Sequence, residues 1–199
     1  MGEPQRQRLA PAERKDLLLD AAEATFAEKG FAASGLAEIA EGAGVSKTLL
    51  YHYYPDGRPE LYCAVVDRFR SALMPSLSNA ADAPLSPTRR IGLYVDALLD
   101  FFAAHPRAPR LVLLEPWGAG DTAVVAQAVA VRTRLTTDVA GILSGAATPL
   151  AQITAAAAAV VGVVVQMCDQ RASGTIDAEA AKSTAHSFVA GGLRELGML

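Results

Sequence analysis

Apolar positions along the chain recur at three- and four-residue intervals and never settle into a two-residue alternation. Every clear segment is therefore predicted as helix and none as strand. Leu18, Ala22 and Phe26 mark one face of a first helix over residues 13–29, with Leu17 and Ala21 beside them. Gly30 follows, where a helix-ending glycine belongs. A second, short helix is expected over 36–43 with Ile39 and Ala40 inward; Gly35 precedes it and Glu38 supplies half of a capping box. A third follows Ser46, a good N-cap, and stops before Pro55. A fourth starts at Pro59 and carries Leu61, Val65, Phe69 and Leu73 on one face. The stretch SNAADAPLSP (78–87) is the best linker candidate. Beyond it, helices are expected over 89–104, 121–143, 150–171 and 178–196, with a proline-broken bend over 105–118. No repeat with a period of 20–50 residues is visible. The fold predicted is all-α: an N-terminal three-helix module over 10–70, whose long fourth helix leads into a helical body over 71–199.

The second and third helices meet in a tight corner. Two helices crossing steeply need a small residue at closest approach, a turn residue tolerant of positive φ, and an apolar side chain dropped back onto the first helix. Ala40, Gly44 and Leu50 fit those three needs in order. The residues after the corner, KTLLYHYY (47–54), hold a lysine, a threonine, a histidine and three tyrosines. Lys47, Thr48, Tyr51 and His52 cannot all be buried cheaply, because each polar tip would need a partner. Hydroxyls and amphipathic aromatics suit phosphate oxygens and groove edges, and a helix starting at Ser46 aims free amides toward a phosphate. The grammar is that of a helix-turn-helix, with a plain helical corner as the competing reading.

Charge limits how DNA would be held. Residues 1–70 carry nine Lys/Arg against eleven Asp/Glu, a net of −2 within a chain of net −3, so contacts must come from local clusters such as Arg6, Arg8, Arg14 and Lys15. With 51% apolar residues the chain can build a core, and disorder is not expected. Cys63 and Cys168 are two and far apart, which fits a reducing, cytoplasmic compartment and neither a disulfide scaffold nor a metal cluster. No signal peptide is visible in the polar first residues. The apolar run over 153–167 is short and alanine-rich, so it is assigned to a helix buried in protein and not to a membrane span.

AAEATFAEKGF (21–31) followed by IA-x-x-AGVSK-x-x-LYHYY (39–54) resembles the N-terminal signature of the TetR family of bacterial transcriptional repressors. The likeness covers about residues 12–70; the rest agrees with the family only in length and helical character. The resemblance implies that Ser46 opens the recognition helix and that Lys47, Thr48 and Leu49 occupy its base-reading start. It implies that Tyr51, His52 and Tyr53 touch phosphate or base edges, and that Ser34 and Gly35 contact the backbone where the second helix begins. Leu49 and Tyr53 also fit inward packing; Leu50 and Tyr54 are assigned to the core. Two departures stand out. The turn PDGRPEL (55–61) has one extra residue, Gly57, and offers Arg58 where the family has a phosphate-gripping lysine. Gly35 also stands where a hydroxyl cap is common.

A helix-turn-helix works as a two-fold pair, since two recognition helices must meet major-groove faces about 34 Å apart. The last two helices are the expected homodimer face: 155–165 is apolar all round with small residues, and Ala181, Ala185, Phe188, Val189, Gly192, Leu193 and Leu196 form a stripe. Tyr94, Leu98, Phe101, Phe102, Trp117, Val125 and Met167 are candidate linings of an apolar effector cavity, with Thr133 or Gln166 as polar anchors. The function expected is a ligand-responsive dimeric repressor that binds double-stranded operator DNA and is released by a small apolar effector. The alternative is a small-molecule-binding protein with weakened or lost operator binding. An enzyme is not expected: His52, His105 and His186 are scattered, and no H-E-x-x-H, C-x-x-C pair or phosphate-cradling glycine loop is present. No cofactor, metal or membrane is called for.

Overall fold

The structure is a computed structural model that describes residues 10–114, 118–144 and 148–199. Among these residues the elements are α1 (Pro11–Ala33), α2 (Leu36–Gly42), α3 (Lys47–Tyr53), α4 (Arg58–Asp82), α5 (Pro87–Ala104), a π-helical turn (Arg110–Leu114), α6 (Thr122–Leu143), α7 (Leu150–Ala172) and α8 (Ala178–Glu195), with no strand. The protein is all-α. Its contacts divide it into two compact units within α4, the first ending at Val65 and the second beginning at Val66.

In the first unit, Pro11 opens α1, and Glu13 Oε2 accepts from the Ala10 amide at 2.7 Å. Leu18, Ala22 and Phe26 are buried, as their spacing predicts. Gly30 breaks the helical run with φ 79° and ψ 167°, and one further turn continues to Ala33. The corner between α2 and α3 has the expected parts. Ala40 is buried, Gly44 has φ 65°, and Leu50 is fully enclosed. The Ser46 hydroxyl caps α3 by accepting from the Leu49 amide at 3.2 Å. Behind the corner, Phe26, Phe31 and Tyr62 form an aromatic cluster. The Tyr62 ring meets Phe26 edge-on at 5.0 Å and Phe31 at 5.4 Å, ordinary geometry for interlocking aromatic rings.

In the second unit, Phe69, Leu73 and Leu77 continue the buried face of α4. The linker is shorter than its sequence suggests. Residues 78–82 stay helical because Leu77 and Ala80 are buried and Arg90 Nε donates to the Ala81 carbonyl at 2.6 Å, so only Ala83 to Ser86 connect α4 to α5. Helix α5 packs against α6, α7 and α8. Tyr94 of α5 is fully buried and its hydroxyl donates to Asp138 Oδ2 of α6 at 3.2 Å; Arg134 Nε holds the same carboxylate at 2.8 Å. Burial first, then the adjacent carboxylate, pushes the Tyr94 hydroxyl well above the usual phenol range, so it stays a neutral donor. On the other side of α5, His186 Nε2 lies 2.8 Å from Asp96 and Lys182 Nζ lies 2.6 Å from Asp100, tying α8 in place. His105 stacks on Phe101 at 4.3 Å with its Nδ1 at 2.9 Å from the Phe101 carbonyl, a packing role in the bend.

Helix α7 is covered on only one side within a single chain. It is the one helix among the described residues long and apolar enough to cross a membrane, with mean hydropathy 1.9, yet only a third of that window is buried. Ile153, Ala157, Val161 and Val164 face inward, while Ala155, Ala158, Ala159 and Gly162 lie on the exposed side.

Two outcomes follow from this packing. Leu50→Ala should lower the stability of the protein by about 2–5 kcal/mol in urea unfolding, because a fully enclosed side chain leaves a cavity that its neighbours cannot fill. Burial raises the Cys168 thiol to about 12. Roughly one in ten thousand of these thiols is then ionised at pH 8, so Cys168 should stay unlabelled by a thiol reagent until denaturant is added, as read by peptide mass analysis.

Candidate nucleic-acid interface

Seven residues make α3, too few to persist alone, so the exposed surface it presents depends on how it is fastened. Leu50 drives into the first unit, the buried Tyr54 closes the C-terminal end, and the Tyr53 hydroxyl donates to the Pro11 carbonyl at 3.4 Å. Lys15 Nζ sits 5.9 Å above the Tyr54 ring. With one side so occupied, Ser46, Lys47, Thr48, Tyr51 and His52 face solvent together. Lys47 Nζ lies 5.8 Å over the Tyr51 ring, an i, i+4 cation–π pair that pre-orders two of these groups. His52 meets Tyr53 edge-on at 5.5 Å. Leu49 and Tyr53 are half-buried, between the two roles their sequence allows.

Two expected contacts are spent inside the fold. Ser34 is 1% exposed, and its hydroxyl donates to the Gly30 carbonyl at 2.6 Å and the Thr25 carbonyl at 3.3 Å. It seals the break in α1, and its hydroxyl cannot also reach a phosphate. Gly35, its neighbour, caps α2 and is exposed, with nothing within 4 Å of where a Cβ would stand. Arg58 likewise turns inward: its guanidinium donates to the Ala32 and Ser34 carbonyls at 2.7 and 3.3 Å and lies 4.7 Å over the Phe31 ring. Neither orientation has a sequence signal of its own; the nearest was the extra glycine at 57, which marks the turn as unusual. Lys29, at the end of the regular run of α1, pairs with Glu38 of α2 at 2.5 Å, and this partner raises the lysine above its ordinary range. It lies on the surface and is screened.

The candidate effector residues are not gathered round one chamber. Tyr94, Leu98 and Phe102 are buried along α5, and Phe101 is half-buried against His105. Phe102 borders a small cleft of about 60 Å³ with Pro106, Cys168 and Arg171. Val125 borders a separate, open concavity at the start of α6. Met167 is half-buried, whereas Thr133 and Gln166 face solvent, because the helical period places both on outer faces. As polar anchors of an enclosed ligand they are therefore misplaced. Trp117 lies outside the described residues. Among the described residues no group of three or more His, Cys, Asp or Glu is placed to hold a metal ion.

Comparison with known proteins places this arrangement. Residues 18–62 match the model of bacterial regulatory proteins, tetR family. The chain is 33% identical over 126 residues to the HTH-type transcriptional activator FasR of Mycolicibacterium smegmatis, a match covering 61% of this chain and 57% of that protein. It is 34% identical over 105 residues to the HTH-type transcriptional repressor SCO4008 of Streptomyces coelicolor, covering 53% and 50%. These matches span about half the length of the curated relatives. A TetR-like transcriptional regulator from Rhodococcus sp. RHA1 aligns over 94% of this chain and 99% of its own, at 29% identity and a TM-score of 0.79. With its helix-turn-helix matched in sequence and its whole length matched in fold, the chain belongs to the TetR family of bacterial regulatory proteins.

Proposed function

We propose that the protein is a cytoplasmic, dimeric, ligand-responsive transcriptional regulator, a repressor that leaves its operator when a small apolar effector binds. One observation carries this reading: a short capped helix, anchored by Leu50, exposes Lys47, Thr48, Tyr51 and His52 on one face. Lysine and hydroxyl tips there can reach base edges and phosphates in a major groove. The domains in this reading are the DNA-binding module over 10–70 and the ligand-binding and dimerisation body over 71–199.

A second copy is the proposed partner of α7 and α8. Phe188 is 70% exposed and Leu196 43%, beside a groove of about 190 Å³ lined by Ala156, Ala159, Val160, Val163, Val189 and Gly192. Large apolar side chains left so exposed on a helix pair mark an interaction surface. The effector in this reading binds within the second unit and shifts the balance between two spacings of the recognition helices. The alternative, a small-molecule-binding protein with weakened operator binding, gains support from the inward turn of Ser34 and Arg58, which removes two expected backbone contacts.

Phe188→Glu should convert the dimer to monomer in sedimentation measurements while helix content is retained; an unchanged mass would remove α8 from the interface. In a gel-shift titration, wild-type protein should retard a duplex selected by it from a random pool, and the affinity should fall steeply with salt. Lys47→Ala and Tyr51→Ala should each weaken that binding by roughly 1–3 kcal/mol without moving the melting temperature. Failure to retard any duplex at low salt would leave the alternative standing.

A further inference from the structure

The turn between α3 and α4 touches three elements at once. Arg58 bonds the carbonyls of Ala32 and Ser34, at the end of α1 and just before α2, and its guanidinium lies over the ring of Phe31. Carbonyls at a helix end lack helical partners, so a cation there both satisfies and stabilises them. Gly57 has φ 72°, and a Cβ on it would stand 3.3 Å from Leu36 Cδ1, in the first residue of α2, and 3.6 Å from Tyr51 Cε1 of α3. Its amide donates to the Tyr54 carbonyl at 3.0 Å, which closes the turn, and Glu60 Oε2 accepts from the Asp56 amide at 2.9 Å.

We propose that Arg58, seated by the Gly57 turn, is a positioning residue for DNA binding: it fixes the angle at which α3 presents Lys47 to His52 and does not itself hold a phosphate. The inference rests on the DNA-binding reading above. It depends on the shape of the side chain and not only on its charge. A guanidinium plane can stack on Phe31 while its fork spans two carbonyls, whereas an ammonium offers a point charge with no plane.

The test compares wild type, Arg58→Lys and Arg58→Ala on a duplex selected from a random pool by the wild-type protein, at several salt concentrations. Amide hydrogen exchange is measured in parallel without DNA. Arg58→Lys should bind at least about ten times more weakly despite its retained charge, and neither variant should change the slope of log affinity against log salt. Exchange should quicken across residues 36–42 and 47–53. A lysine variant that binds like wild type would overturn the proposal. So would an alanine variant whose salt slope drops by about 0.9, the signature of one lost phosphate contact. So would unchanged exchange over those residues. Should Arg58→Ala fail to fold, the lysine variant, checked by circular dichroism, decides through affinity and exchange. If wild type itself retards no duplex, the DNA-binding reading falls, and exchange alone still decides whether Arg58 holds the two helices.

Discussion

The first unit depends on a cluster of four side chains: Phe26 and Phe31, each met edge to face by Tyr62, with the Arg58 guanidinium laid over Phe31. The rings come from both sides of the Gly30 break and from the start of α4, so they join segments that no helical hydrogen bond connects. Aromatic contacts of this kind add about 0.5–1.5 kcal/mol beyond the area they bury, which is large against the small net stability of so short an assembly. The geometry matters as much as the energy. Rings that interlock edge to face resist sliding, and α2 and α3 are too short to hold a direction by themselves.

Around that cluster the polar groups fall into two populations. Ser34, Arg58 and the Tyr53 hydroxyl are committed to backbone carbonyls of the first unit. Lys47, Thr48, Tyr51 and His52 face solvent. Ser34 and Arg58 satisfy carbonyls freed where α1 breaks and ends, the Tyr53 hydroxyl reaches the first turn of α1, and the second population keeps its polar tips in water. A similar economy holds in the second unit, where Asp138 takes both the buried Tyr94 hydroxyl and the Arg134 guanidinium and so joins α5 to α6.

Helix existence was legible in the sequence because period and breakers agree: Gly30, Gly44, Pro55 and Pro87 interrupt stripes that are otherwise unbroken. The corner of Ala40, Gly44 and Leu50 was legible for the same reason, since each position meets a distinct steric need. The end of α4 was misjudged, because Ser, Asn and Asp read as linker while Leu77, Ala80 and the Arg90 cap keep them helical. The directions of Ser34 and Arg58 were not legible at all. They are chosen by carbonyls freed at a tertiary break, and residue type says only that a donor is present. The candidate effector residues failed differently: periodicity reports which face is buried but not where a void lies, and it places Thr133 and Gln166 outward once the helix phase is known. Residues 155–165 of α7 read as apolar all round, which is true of their composition, but a single chain covers only one side of the helix.

Between Ala155 and Gly162 the uncovered side of α7 is alanine and glycine, so its own side chains there give little relief. A flat surface sets little preference for one sliding position over another. In the proposed pair, registration therefore falls to the bulky exposed groups around that stretch, Leu150, Phe188 and Leu196. Changing those bulky groups would then alter which surfaces fit this helix pair, while the smooth stretch between them would set little preference of its own.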